Sequence, residues 1–309
     1  MLNKAVYEKI PYHTAFVVNP AAGDGKAGLI WSRLEELLNQ SGQSYRSYFT
    51  RHKGDGSEMA ARASLEGAEL VVAVGGDGTL REVVNGLDLG HNIFGLIPAG
   101  TGNGFARSCL VPLQWQKAFL GLKRWEPRQI DIGRVNGEIF LNIVGIGLDA
   151  AVVEAAASKY YRLKGYLAYA FAILDQAASF HRFHCRVECN GLYYEDDQTL
   201  IALVANGRYY GWKVCIAPQA SLEDGHFDLC LIRKRSVSDL FKVGARIAVG
   251  RHLSSTAVIK MQGHKFNLVP SRAMLYHKDG DFGTAASLKV EILPAALRIL
   301  APGDRINSL

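Results

Sequence analysis

The run Val71-Val72-Ala73-Val74-Gly75-Gly76-Asp77-Gly78-Thr79 carries the strongest chemical signal in the chain, because a buried-strand pattern ends in three glycines around one acid. Such a loop suits a triphosphate. Residues without Cβ can adopt φ > 0 and bring backbone N–H groups close to phosphate oxygens, and the carboxylate of Asp77 can meet a metal ion there. The helical character of Leu80-Arg81-Glu82-Val83-Val84 puts the loop at a helix N-terminus, where the dipole favours anions. Taken alone, the same residues also make an ordinary tight turn between strand and helix.

Two further loops of this kind change the balance. Ile97-Pro98-Ala99-Gly100-Thr101-Gly102-Asn103-Gly104 follows an apolar stretch and precedes a helix through Phe105 and Ala106. Asn19-Pro20-Ala21-Ala22-Gly23-Asp24-Gly25-Lys26 follows Ala15-Phe16-Val17-Val18 and precedes a helix with Ile30, Leu34, Leu37 and Leu38 on one face. In an open parallel sheet, successive strand-to-helix turns converge on one crevice beyond the carboxyl ends of the strands.

The elements that must hold these loops are readable as well. From about His13 to Arg128, strands over residues 15–18, 44–49, 70–74 and 93–97 alternate with helical segments, which predicts an α/β domain with a parallel sheet. Beyond Ile130 the pattern changes: Asn136-Gly137 and Asn190-Gly191 are hairpin signals, and strands are expected over 199–205, 227–232 and 288–293. Helices over 150–157, 165–178 and 237–249 interrupt this mainly antiparallel second region. Tyr166, Leu167, Tyr169, Phe171, Ile173 and Leu174 can line an acyl channel, although such a pattern is more often ordinary core.

The three loops, with Tyr48-Phe49-Thr50-Arg51-His52 between the first two, closely resemble the diacylglycerol kinase catalytic-domain family, which includes bacterial lipid kinases and sphingosine kinases. The resemblance rests on Asn19-Pro20-x-x-Gly23, on Gly75 through Gly86, and on Pro98-Ala99-Gly100-Thr101-Gly102-Asn103-x-Phe105-Ala106-Arg107. It continues through Pro218-x-Ala220-x-x-x-Asp224-Gly225-x-x-Asp228 to Asp279-Gly280-Asp281.

The resemblance implies a nucleotide-binding α/β domain over residues 1–130, completed by 295–309 through Leu297-Arg298-Ile299-Leu300. A β-sandwich-like lipid-substrate domain follows over 131–294, with the active site between the two. It implies ATP contacts at Asn19, Thr50, Gly75, Gly76, Asp77, Gly78, Thr79, Leu80, Arg81, Gly100, Thr101 and Asn103, with Asn19 equally suited to capping its own loop. Asp77 would organise a catalytic Mg²⁺ through water, since that ion keeps its waters readily.

Asp281 stands where the family has the glutamate of Asp-Gly-Glu and would act as the base, with Asp77 as the competing choice; Asp279-Gly280 also reads as a hairpin turn. Gly104 replaces an aspartate common among relatives. Asp224, with carbonyls of Ser221 and His226, resembles a second divalent-ion site or a plain Asp-Gly turn. Asp131 and Lys164 resemble supporting charged positions.

The reaction implied is ATP-dependent transfer of the γ-phosphoryl group to the hydroxyl of a diacylglycerol-like or sphingoid-like lipid. The alternatives are an NAD-kinase-like activity, which shares the Gly-Gly-Asp-Gly logic, and a catalytically weak nucleotide-dependent lipid-binding regulatory module, which the departures at Gly104 and Asp281 motivate. The chain lacks Gly-x-x-x-x-Gly-Lys-[Ser/Thr] and is not an ordinary P-loop enzyme.

Bulk properties agree. With 309 residues, 49% of them hydrophobic, the chain can bury two cores. Its formal charge of +6 allows transient contact with an anionic membrane surface, and Lys123-Arg124 with Arg128 and Arg233-Lys234-Arg235 are the basic patches, though at this magnitude a solvated surface is the favoured reading of them. Nucleic acid is excluded as a partner, because charge is its only support. Five cysteines form no paired framework, and the longest apolar run, over 141–157, is interrupted by Asp149 and Glu154. The expectation is a cytoplasmic protein that visits the membrane surface.

Overall fold

Every residue of the strands Leu70–Gly75 and Ile93–Pro98 is buried, as strands covered on both faces require. The computed structural model describes residues 8–163, 166–210, 214–233 and 255–303. The helix expected over 237–249, together with Lys164, Lys234 and Arg235, lies outside the described residues. The chain divides into two compact units, Met1–Asp131 with Pro294–Leu309, and Ile132–Leu293.

The first unit runs Thr14–Val18 (β1), Lys26–Gln40 (α1), Tyr45–Phe49 (β2), Asp55–Leu65 (α2), Leu70–Gly75 (β3), Asp77–Gly86 (α3), Ile93–Pro98 (β4), Gly104–Ser108 (α4) and Trp115–Leu122 (α5). Its strands pair in parallel in the order β2-β1-β3-β4, with Ile299 of the C-terminal strand beside Phe94 of β4. The chain therefore leaves β1 toward one side of the sheet and returns to the other, so the loops after β1 and β3 flank a topological switch point. Helix α1 buries Ala27, Ile30, Trp31, Leu34 and Leu38; Trp31 stands against Phe16 at 5.3 Å, while Leu37 is only half-buried.

The second unit begins within Pro127–Val135 (β5) and continues through Glu138–Phe140 (β6), Ile143–Gly147 (β7), Leu148–Ser158 (α6), Tyr166–Ser179 (α7), Phe183–Cys189 (β8) and Leu192–Ala205 (β9). Then come Tyr209–Tyr210 (β10), Val214–Cys215 (β11), Phe227–Arg233 (β12), Val258–Gly263 (β13), Lys265–Pro270 (β14), Met274–Lys278 (β15), Asp281–Ala285 (β16) and Leu288–Leu300 (β17). Its strand pairs are antiparallel. Asn136-Gly137 and Asn190-Gly191 have positive φ at both positions (48° and 93°, 50° and 81°), which a two-residue type I′ hairpin demands.

Strand β9 is twice the expected length because it changes partners along its course: residues 192–199 pair with β8, and the remainder with β7 and β12. At the handover, the buried Asp196 accepts the Thr199 hydroxyl at 3.0 Å and faces Arg233 Nε at 2.8 Å. Strand β17 likewise joins two expected segments into one. Asp131, at the edge of the first unit, is buried and accepts the N–H of Ala295 at 2.7 Å, a local structural task.

Helices α2 and α3 meet at Gly86, where a Cβ would run into the carbonyl of Ser57. Alanine improves helix propensity by about 1 kcal/mol, but overpacking against fixed backbone costs about 1–3 kcal/mol. Gly86→Ala is therefore expected to lower the urea midpoint; an unchanged or raised midpoint would show that the two helices separate without cost.

Candidate active site

In the first unit the three loops are bonded into one structure. Asn19 donates its backbone N–H to Val74 at 3.0 Å, accepts the N–H of Ala21 at 3.2 Å, and donates its side-chain amide to Thr79 Oγ1 at 3.0 Å. It caps its own loop and ties it to the next. Thr79 in turn occupies the space over Gly75, where a Cβ would stand 2.6 Å from its Cβ and hydroxyl.

The glycines of this loop do not use the left-handed region: Gly75, Gly76 and Gly78 are absent from the positive-φ positions, and Gly76 has φ −99°. The expectation of φ > 0 is corrected to one of close approach for the first two. A Cβ on Gly76 would lie 3.0 Å from Gly100 Cα, so the second and third loops touch backbone to backbone, whereas Gly78 faces open space. The left-handed positions fall in the flanking loops, at Gly23 (62°), Asp24 (57°), Gly25 (86°) and Asn103 (52°).

Asp77 joins the same two loops. Its Oδ2 accepts the N–H of Gly104 and its Oδ1 that of Phe105, both at 3.0 Å, so the carboxylate caps α4 from the first turn of α3. Burial pushes its carboxyl above the ordinary range, and the N–H groups of Phe105 and Gly104 oppose that rise. Asn103 closes the third loop on itself, accepting from Gly100 N–H at 3.0 Å and donating to Gly100 O at 2.8 Å.

Thr50 is buried, and its N–H donates to Val18 O at 2.9 Å. Leu80 has no exposure, so the contact expected of it can come from backbone alone, and Arg81 is also buried. Gly78 and Thr101 are exposed, with Gly76, Asp77 and Gly100 half-buried beside them.

Glu82 is a member of this site that residue typing missed. Its carboxylate accepts the N–H groups of Gly54 at 3.0 Å and Gly56 at 3.2 Å, holding the loop after Thr50 against α3. Its place in the run from Gly75 to Gly86 was the available signal.

The other candidates lie in the second unit. Asp279-Gly280 is a turn with φ 47° and 92° between β15 and β16, and Asp281 begins β16 opposite Lys278. The Asp279 carboxylate accepts three backbone N–H groups, from Leu141 at 2.6 Å and from Asn142 and Ile143 at 2.9 Å. Lys278 is buried and its ammonium bonds Glu138.

Around Gly225 (φ 71°), Asp224 Oδ1 accepts the N–H of His226 at 3.0 Å, His226 Nδ1 lies 2.7 Å from Asp224 O, and Ser221 Oγ accepts from Glu223 at 3.3 Å. Asp228 beside them is pushed up to about 6, by burial first and then by the Asp224 charge. No group of three His, Cys, Asp or Glu side chains suited to a metal occurs among the described residues, so a cation here would depend on backbone carbonyls and water.

Comparison with known proteins agrees with this architecture. Residues 13–135 match the diacylglycerol kinase catalytic domain and residues 142–301 the YegS C-terminal NAD kinase beta sandwich-like domain. The chain is 28% identical over 296 residues to a diacylglycerol kinase of Bacillus subtilis (strain 168), covering 95% of this chain and 97% of the relative. It is 27% identical over 272 residues to a diacylglycerol kinase of Staphylococcus aureus (strain JH9), covering 87% and 86%.

A crystal structure from Bacillus anthracis str. Sterne shares the fold with a TM-score of 0.80 at 21% identity, over 94% of this chain and 96% of that one. Two bonded glycine loops ahead of helices, an antiparallel second unit, and matches to both domains across nearly the whole chain place this protein in the diacylglycerol kinase catalytic-domain family of lipid kinases.

Proposed function

We propose that the protein transfers the γ-phosphoryl group of ATP to the hydroxyl of a diacylglycerol-like or sphingoid-like lipid. The observation that carries this reading is the junction of the Gly75–Gly78 and Gly100–Asn103 loops through Asp77, at the N-terminus of a ten-residue helix. Phosphoryl transfer needs charge neutralisation, alignment and a proton acceptor, with little covalent chemistry from the protein.

Backbone N–H groups in the first turn of α3 lack intrahelical partners and suit phosphate oxygens. Asp77 commits one lone pair on each oxygen to α4, and a carboxylate has about four such sites. The remainder fit a hydrated cation, which supports Mg²⁺ held through water; when bound, that ion offsets phosphate charge. Asp279 serves the turn, so in this reading Asp281 takes the proton of the acceptor hydroxyl.

A lipid acceptor is supported by α7. Ala168 and Ala172 face the core beside Leu148 and Val152, whereas Leu167, Phe171, Ile173 and Leu174 are 41–69% exposed. The ordinary-core expectation therefore fails for these four. An apolar helix face beside the exposed Tyr161 and Arg162 suits transient contact with a lipid surface. No helix among the described residues is long and apolar enough to cross a membrane.

Incubation with Mg-ATP and mixed micelles of diacylglycerol or sphingosine, with NAD⁺ as a parallel acceptor, is expected to yield a phosphorylated lipid alone. Asp281→Asn should lower turnover about 10²- to 10⁴-fold while Mg-ATP binding persists. Phosphorylation of NAD⁺ only, or full turnover in the variant, would contradict the reading.

The loop at Asp224 supports a second Mg²⁺, so Mg²⁺ should raise the melting temperature of the wild type by more than that of Asp224→Ala, which keeps only the ion at Asp77; equal shifts would remove this site. In EDTA, the raised carboxyl of Asp228 favours the fold fully below its unfolded value of 3.8, and that contribution is lost as pH rises through about 6. Asp228→Asn should flatten stability across this window, and a slope equal to the wild type's would contradict the assignment.

A further inference from the structure

Within the second unit, His277 has no solvent exposure, and its Nε2 lies 2.9 Å from Asp149 Oδ2 and 3.3 Å from the hydroxyl of Tyr210. The Tyr210 ring meets the imidazole edge-on at 5.4 Å. Burial and the Asp149 charge hold the Tyr210 phenol well above its ordinary range, so it remains a donor. Room for the cluster is made at Gly145, the register partner of His277 on β7, where a Cβ would strike the Asp149 carboxylate and stand 3.0 Å from His277 Nε2.

This arrangement is costly as packing. Asp149 Oδ1 and His277 Nδ1 are buried without a hydrogen-bond partner among the described residues, and a buried unsatisfied polar group costs about 1–3 kcal/mol. Apolar side chains would fill the same space more cheaply.

Its position shows what it can do. Among the described residues, strand β15 pairs with β7 through Tyr276, His277 and Lys278, and β16 pairs with β15. The hairpin is held by these three pairs and by Asp279, whose carboxylate accepts three N–H groups and whose own N–H donates to Ile143 O at 2.9 Å. The Lys278–Glu138 bond and the packing of Met274, Tyr276 and Ala285 against the core hold it as well. His277 stands at the middle pair and Asp281 just beyond the turn. Asp149 lies in the first turn of α6, where the helix dipole favours a carboxylate. Helix α6 packs through Leu148, Val152, Ala155 and Ala156 on the inner face of α7, whose outer face is apolar.

We infer that Asp149 and His277 are positioning residues for the transfer step, their hydrogen bond joining the α6–α7 helix pair to the β15–β16 hairpin and so fixing Asp281. The inference rests on the reading of Asp281 as the proton acceptor. The contact links the helix pair that faces lipid to the hairpin that bears the base, within one compact unit.

The test uses the full chain with Mg-ATP and diacylglycerol mixed micelles, comparing Asp149→Asn, His277→Phe, His277→Gln, Asp281→Asn and the double variant His277→Phe/Asp281→Asn. Displacement of a reacting group costs up to about 100-fold. His277→Phe and Asp149→Asn are accordingly expected to lower kcat about 10- to 100-fold with KM for Mg-ATP within about twofold. His277→Gln, which restores a donor toward Asp149, should recover part of the loss. The double variant should be no slower than Asp281→Asn alone.

Amide exchange over residues 274–285 supplies a readout that does not depend on the acceptor. It should quicken about tenfold in His277→Phe while β8 and β9 stay protected. Wild-type kcat in both single variants, unchanged exchange of the hairpin, or a further loss added to that of Asp281→Asn would overturn the inference. Wild-type turnover in Asp281→Asn would instead overturn the base assignment, and the positioning role with it.

Discussion

The Asp77 carboxylate bonded to Gly104 and Phe105 is the constraint on which the first unit depends. A carboxylate is expensive to desolvate even where it is half-buried, and two charge-assisted hydrogen bonds of about 1.5–3 kcal/mol each oppose part of that cost. The bonds also fix where α4 starts. A five-residue helix is too short to form without outside help, and its anchor is the acid that opens α3. Any ligand held by the α3 loop is therefore held against the α4 loop as well.

The surrounding residues follow from that bond. Gly76 and Gly100 must lack side chains because the loops they belong to are drawn into backbone contact. Asn103 takes a left-handed conformation and spends both ends of its amide on Gly100, turning the chain into α4. Gly104, where the resemblance leads one to expect an acid, contributes its N–H to the junction, a bond that needs no side chain. The second unit uses the same physics, with three N–H groups converging on Asp279 at the turn that precedes Asp281.

Much of this was legible because it is local. Continuous apolar runs marked β3 and β4, paired turn residues marked the Asn-Gly hairpins, and the spacing of three glycine loops marked the segments that bond to one another in the first unit. Conformation within the loop was less legible, since glycine signals close approach and left-handed backbone with the same letter; Gly75 and Gly76 have the first reason and Gly23 has both.

Contacts across long sequence distances were not legible. Asp149 and His277 stand 128 positions apart, and Asp149 read only as an interruption of an apolar run. The length of β9 was hidden because its change of partners depends on Asp196, Thr199 and Arg233 meeting in space. The apolar stripe of α7 read as core because periodicity does not say which of two apolar faces the core will take.

The central claim is that Asp77 builds the joined loops before any ligand arrives. Amide hydrogen exchange at Gly104 and Phe105, compared between the wild type and Asp77→Asn without nucleotide or metal, tests it most directly. Asparagine keeps one acceptor oxygen and turns an amide toward the other N–H. The account predicts exchange faster by about tenfold or more at these two positions, with β8 and β9 unaffected. Equal protection in the two proteins would contradict it.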